Sequence, residues 1–291
     1  MERITTRLRR RMAEPGLIVV PYCFDPLTAR IAARLGFECV GVGGYVLGAA
    51  LATSEPLMTM TELVEHSARI ARSVDVPLKV DAGAGYGDPL HVMRTVRELE
   101  AAGVAAVHIE DQVFPKRALY HRDYQEHTIP AEEMATKIRY ACQARRDKDF
   151  VIIARTDAMQ THGYAEGVRR ANLYAEAGAD AVMLFPNNAD EARRAPKDCH
   201  VPLNYVISWG NRVGRPVYTT AELEDMGYKL ATDAVSTVLA SYRAVHDALT
   251  SLKQTGSTNL GAEQAVAARK AIEDTIGLEE YYRVEEETVE R

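Results

Sequence analysis

Short apolar, β-branched-rich runs recur along the first 250 positions, at 17–22, 39–42, 78–81, 105–109, 150–154, 181–185, 203–207 and 228–232. Each tends to end in glycine or polar residues. Between them lie longer segments with apolar residues at helical spacing, as with Val92, Val96, Leu99 and Ala102 within 88–102. Short β-branched runs alternating with segments whose apolar residues recur near 3.6 predict alternating strands and helices. Asp88 before Pro89 predicts an N-cap followed by proline at the first helical position. Eight strand–helix units match a closed (β/α)8 TIM barrel better than an open dinucleotide-binding sheet. No Pro/Gly/Ser-rich linker divides the chain, so one barrel domain is expected over 1–253, its last helix at 239–252. Residues 254–291 form a tail, with an Ala-rich helix at 262–276 and an acidic stretch at 279–290 that carries Tyr281 and Tyr282.

Composition narrows the class. With 47% hydrophobic and 26% charged residues the 291-residue chain can bury a core, which excludes a disordered or collagen-like protein. No apolar stretch is long enough to span a bilayer, and the basic segment at 1–16 is not followed by a signal-peptide core. The expectation is a cytoplasmic protein without a membrane partner. Cys23, Cys39, Cys142 and Cys199 form no CxxC pair, which argues against a disulfide framework and a thiolate zinc site. A formal charge of −6 gives no general basis for binding nucleic acid.

In a βα barrel, chemistry sits at the C-terminal strand ends and in the loops that follow. The second run leads into Gly43, Gly44 and Tyr45, the third into Asp81, the fourth into Glu110 and the fifth into Arg155. Asp81 and Glu110 offer hard oxygens suited to Mg2+ or Mn2+. Arg155 can pair with a substrate carboxylate or phosphonate, and Gly43 and Gly44 can present backbone N–H groups to the same anion. Buried acids also accept loop N–H bonds with no ion present; two acids and an arginine on successive strand ends favour a site. The glycines at 83, 85 and 87 do not make a dinucleotide fingerprint, because the third comes one residue early and no acid ends a second strand at the required distance.

The segments VDAGAGYGDP at 80–89, HIEDQVFPKR at 108–117 and FVIIARTDA at 150–158 together resemble the isocitrate lyase/phosphoenolpyruvate mutase superfamily, especially its short 2-methylisocitrate lyase-like and oxaloacetate decarboxylase-like members. The similarity runs from about residue 17 to 248. It implies a TIM barrel with a magnesium site that stabilises the enolate of a 2-oxo acid, and a homotetramer that exchanges its C-terminal helix. Position by position, it implies metal-shell roles for Asp81, Glu110 and Glu55, and substrate contacts from Gly43, Gly44, Arg155, Asn204 and Arg243. Lys116 and Arg117 open the stretch that corresponds to the family's gating loop.

Departures from the pattern narrow the chemistry. The lyases of this superfamily carry KRCGH or KKCGH in the gating loop; here 116–121 reads Lys-Arg-Ala-Leu-Tyr-His, so the thiol is missing. Tyr120, His121 and His127 are the remaining candidates for proton transfer. Gly83 stands where the family has a second carboxylate, Asn187 where lyases have glutamate, and Val42 where a small hydroxyl residue precedes the glycines. The loop at 208–215 is longer than its counterpart and brings Trp209, Arg212 and Arg215 toward the pocket mouth. The expected function is a Mg-dependent C–C bond lyase, retro-aldol or decarboxylative, acting on a small 2-hydroxy or 2-oxo dicarboxylate. The alternatives are a non-catalytic carboxylate-binding barrel and a phosphonopyruvate-type P–C bond enzyme.

Overall fold

The eight apolar runs are the strands of one parallel sheet: β1 (Ile18–Pro21), β2 (Val40–Val42), β3 (Leu78–Asp81), β4 (Ala106–Glu110), β5 (Val151–Arg155), β6 (Ala181–Met183), β7 (Leu203–Ile207) and β8 (Leu230–Asp233). The structure is a computed structural model and describes residues 2–118 and 127–289. Seven ladders link the strands in the order β1-β8-β7-β6-β5-β4-β3-β2. The seam between β1 and β2 is joined by a single bridge, Tyr22 to Gly41, with the Cys23 N–H donating to the Gly41 carbonyl at 2.7 Å. The sheet is thereby a nearly closed (β/α)8 TIM barrel, as the strand count predicts.

The described helices are α1 (Ile4–Ala13) ahead of the barrel, α2 (Pro26–Arg34), α3 (Gly44–Ala50), α4 (Met60–Ala71), α5 (Pro89–Ala101), α6 (Ala131–Ala144), α7 (Ala158–His162), α8 (Tyr164–Glu176), α9 (Ala189–Asp198), α10 (Thr220–Met226), α11 (Ser236–Thr255), α12 (Ala262–Ile276) and α13 (Leu278–Thr288). Their starts follow local chemistry. Asp88 caps α5 by accepting from the N–H groups of Leu90 and His91, with Pro89 opening the helix. Capping boxes start α2 (Asp25 and Thr28), α4 (Thr59 and Glu62) and α10 (Thr219 and Glu222). Helix α12 lies on α2, where Arg34 donates to the Asp274 carbonyl at 2.6 Å. No residue of α11, α12 or α13 is buried.

Strand parity decides what faces the barrel interior. One buried cluster holds Val107, Ile109, Ile152, Ala154 and Tyr205, packed against the surrounding helices. The other holds Ile18, Val20, Ala106, Val151, Ile153, Met183 and Val206 inside the barrel. Successive side chains of a strand alternate between these two sides. Lys79 and Asp81, His108 and Glu110, and Arg155 therefore share the inner side with Val151 and Ile153. Two strands run one residue beyond the sequence expectation, β4 through Glu110 and β5 through Arg155, and so place both side chains on rigid backbone.

Candidate active site

Asp81 and Arg155 meet at the C-terminal mouth of the barrel on a cavity of about 340 Å3 also lined by Gly43, Gly44, Tyr45, Glu55 and Lys116, and Glu110 lies behind that lining, paired to Arg155 and Lys116. Glu110 is completely buried. Arg155 Nη1 lies 3.1 Å from Glu110 Oε2 and 3.9 Å from Asp81 Oδ2, while its Nε donates to Asp157 Oδ1 at 3.1 Å. Gln112 Nε2 holds the other oxygen of Asp157 at 2.6 Å. The guanidinium is thus fixed from two sides. Lys116 Nζ pairs with Glu55 and lies 3.2 Å from Glu110 Oε1.

The glycine cluster has a steric role. A Cβ on Gly44 would stand 2.5 Å from Glu55 Cγ, and one on Gly43 only 2.2 Å from the Tyr22 ring. The bare backbone lets Glu55 and Tyr22 close on the site from opposite directions. The Gly44 N–H is directed at Asp81 Oδ2 at 3.5 Å.

Beneath the mouth runs a polar column that motif reading missed. His108 Nε2 is 3.1 Å from Asp81 Oδ1, which also accepts the Gly83 N–H at 2.9 Å. Lys79 Nζ donates to Tyr22 Oη and Thr232 Oγ1, both at 3.0 Å, and Thr232 donates to Asn204 Oδ1 at 3.0 Å. Lys79 and His108 precede Asp81 and Glu110 by two residues, so strand parity alone would have found them.

Burial drives the main pKa shifts. Desolvation pushes His108 down to about 4, so the imidazole is neutral at pH 7 and donates to Asp81. Burial likewise lowers Lys79 to about 7, with Asp81 offsetting part of the effect. It raises Glu110 to about 7 even against the pull of Lys116 and Arg155. For Asp81, burial opposes the charge, but His108, Arg155 and Lys116 outweigh it and hold the carboxyl well below its usual range. Burial opposes the charge on Lys116 too, but Glu110 and Glu55 outweigh it and keep the ammonium cationic.

Several sequence-predicted residues stand elsewhere. Arg243 lies on α11 with its side chain 86% exposed, 3.9 Å from Asp247, and is not part of the cavity lining. The exposed face of the last barrel helix, rather than the mouth, carries it. Asn204 is buried inside the barrel, donating to the Tyr205 carbonyl at 2.7 Å. Arg117 is exposed and outside the lining, as is Asn187, whose amide donates to the Met159 carbonyl. Tyr120 and His121 lie outside the described residues.

Whether the mouth suits a divalent cation follows from its donors. Glu110 Oε1 is enclosed and accepts no hydrogen bond, with the Lys116 ammonium 3.2 Å away, Asp81 lines the cavity, and Gly83 places no side chain beside Glu110. These are hard oxygens of the kind Mg2+ takes, and two carboxylates suffice for an ion that retains several waters. Among the described residues no three His, Cys, Asp or Glu side chains gather into a cage. Glu55 stands with Lys116 rather than with the other two acids in such a cluster. The residues therefore fit a water-rich magnesium shell carried by Asp81 and Glu110.

A parallel barrel with carboxylates, an anchored guanidinium and a buried lysine at its strand ends is an enzyme scaffold for a small anion. The chain belongs to the phosphoenolpyruvate phosphomutase family, whose model matches residues 8–253. It is 35% identical to 2,3-dimethylmalate lyase of Eubacterium barkeri over 96% of both chains. A crystal structure of a 2,3-dimethylmalate lyase superposes with a TM-score of 0.89 at 31% identity, covering 99% of this chain and 96% of that one. It is 39% identical to oxaloacetate decarboxylase of Pseudomonas putida (strain GB-1) over 90% of each chain. Phosphonopyruvate hydrolase, solved in complex with oxalate and Mg2+, has a TM-score of 0.84 at 26% identity with full coverage of both chains. Among the described residues no helix is long and apolar enough to cross a membrane.

Proposed function

We propose that this protein is a carbon–carbon bond lyase acting on a small 2-hydroxy or 2-oxo dicarboxylate, by retro-aldol or decarboxylative cleavage. The observation that carries the reading is the fixed placement of Arg155, Lys116 and Asp81 around one cavity, with Glu110 buried behind them and paired to both cations. The anchored Arg155 guanidinium binds a substrate carboxylate and sets its orientation. In both branches the substrate's C2 oxygen carries negative charge, as an alkoxide before retro-aldol cleavage or as an enolate after decarboxylation. Lys116, kept cationic, donates to such an oxygen. Asp81 and Glu110 would hold a Mg2+ or Mn2+ ion, with Glu55 as the third acid assigned to its shell. When bound, that ion supplies further stabilisation of the charge on the substrate oxygens. Proton transfer falls to Tyr120 or His121, with Arg117 opening the same stretch.

The same reading places the chain in a homotetramer with the barrel ending near residue 253 and the tail on a neighbouring subunit. Leu249, Leu252, Val266, Tyr281 and Tyr282 supply an exposed apolar surface for that contact. The four unpaired cysteines suit the reducing cytoplasm.

Trp209, the only tryptophan in the chain, lines the cavity and gives the assay. Its fluorescence should change when oxalate is titrated with MgCl2, and Asp81→Ala or Glu110→Ala should weaken that response at least tenfold. A response independent of metal would overturn the mechanism. A panel of oxaloacetate, 2,3-dimethylmalate, 2-methylisocitrate and 3-phosphonopyruvate, scored for pyruvate, identifies the reaction. No turnover of any would overturn the lyase reading.

A further inference from the structure

Arg215, in the connection between β7 and α10, is only 6% exposed and lines the cavity of the active site. Its Nε and Nη1 are enclosed yet donate to nothing among the described residues, and no described carboxylate forms an ion pair with it. A guanidinium cannot shed its proton to escape burial, so an enclosed one without a counterion is costly unless something else supplies the anion. The position is nonetheless built. Asn211 clamps the Arg215 backbone, accepting its N–H at 2.8 Å and donating to its carbonyl at 3.1 Å. The guanidinium carbon rests 4.7 Å from the centre of the Phe185 ring.

Arg155 uses the same ring, its guanidinium carbon 4.8 Å from that centre. Two cations therefore flank one phenyl group at the same mouth. They differ in commitment, since Arg155 is held by Glu110 and Asp157 whereas the buried N–H groups of Arg215 have no acceptor among the described residues. An anion that satisfies Arg215 must reach into the cavity beside Phe185, within a short carbon chain of whatever Arg155 holds.

We propose that Arg215 binds the second carboxylate of the substrate, the one remote from the C1–C2 end, and so selects short dicarboxylates over 2-oxo monocarboxylates. The assignment of Arg155 to the first carboxylate rests on the lyase reading above; the demand of Arg215 for an anion does not. The chemistry fits the residue type, because the planar fork of arginine matches a carboxylate bidentately and phenyl stacking presets its plane.

Calorimetry on the full-length protein with MgCl2 tests the proposal through binding alone. Oxalate probes only the inner half of the site, whereas 3,3-difluorooxaloacetate adds the remote carboxylate on a carbon that cannot enolise. Arg215→Gln and Arg215→Met should weaken difluorooxaloacetate 30- to 300-fold and oxalate less than threefold. Intact oxalate binding also shows that the variants are folded. Thermal midpoints should hold or rise, because an uncompensated buried charge has been removed. Equal weakening of both probes, or an unchanged affinity for difluorooxaloacetate, would overturn the proposal. A larger loss for 3-phosphonopyruvate than for difluorooxaloacetate would overturn the choice of carboxylate in favour of phosphonate. If the substrate panel is silent while this pattern holds, the lyase reading fails and the Arg215 site stands. Turnover without the pattern keeps the lyase reading and removes the Arg215 site.

Discussion

Replacing Asp111 should destabilise the fold more than any change at the neighbouring surface, because this carboxylate ties β4 to the turn that orients Arg155. It is fully buried. Its Oδ2 accepts from Thr156 Oγ1 at 2.7 Å, Tyr174 Oη at 2.8 Å and Arg170 Nη1 at 2.9 Å, and its Oδ1 accepts the Asp157 N–H at 3.1 Å. Asp111→Ala strands four buried donors, one of them cationic. Asp111→Asn keeps the size but turns an NH2 group toward donors or leaves Asp157 without its acceptor. Removing one partner of a buried ion pair costs about 3–5 kcal/mol. Glu166, which accepts from Arg170 Nε at 2.8 Å, retains part of the compensation and places the expected loss toward the lower end of that range. Urea unfolding should report it as a lower midpoint at unchanged slope, with the thermal midpoint falling by roughly 10 °C. Arg169→Gln, which removes a half-exposed pair to Glu166, is the control and should stay within about 0.5 kcal/mol. A loss below about 1 kcal/mol for Asp111→Ala would refute the assignment of this network as the brace of the site.

Two further outcomes follow from the geometry. Lys79 has a folded pKa of about 7, below its unfolded value, so only the unfolded chain takes up its proton between there and about 10.5. Stability should therefore rise with pH across that window, by up to about 1.4 kcal/mol per pH unit from this group. Lys79→Met should remove that part of the slope in urea titrations at pH 7.5 and 9; identical slopes in both proteins would rule the shift out. Gly44→Ala forces its Cβ against Glu55 and displaces the partner of Lys116, so oxalate binding with magnesium should weaken more than tenfold in a folded protein. Unchanged affinity would show that the close approach is dispensable.

The strands were legible because each is a continuous apolar run, and the acids and arginine of the mouth because they sit where such runs stop. Glu110 and Asp111 show what linear reading misses. Adjacent in sequence, they face opposite sides of the barrel wall: the first pairs with Lys116 and Arg155 behind the cavity, while the second braces the turn after β5. Parity within the strand separates them once the strand's end is known. Arg215 was legible only as a residue in a long loop, since the lack of an acceptor for its Nε and Nη1 among the described residues is a property of three-dimensional enclosure. Arg243 stands outside the lining for the converse reason: a local likeness at the start of a helix does not specify which face of that helix meets the barrel. Glu55 lines the mouth, but its pairing with Lys116 depends on a contact between residues 61 positions apart.

The single bridge between β1 and β2 bears on the order in which the molecule can be assembled. Strands β3 to β8 can each pair with the strand made just before, whereas Ile18–Pro21 finds its full ladder only with Leu230–Asp233, at the far end of the barrel. Until then the first strand made has one bridge and the Tyr22 ring to hold it. The N-terminal strand is therefore the last to be secured, and a nascent chain halted before residue 230 exposes Ile18, Val19 and Val20 on an unpaired edge, open to association with other chains.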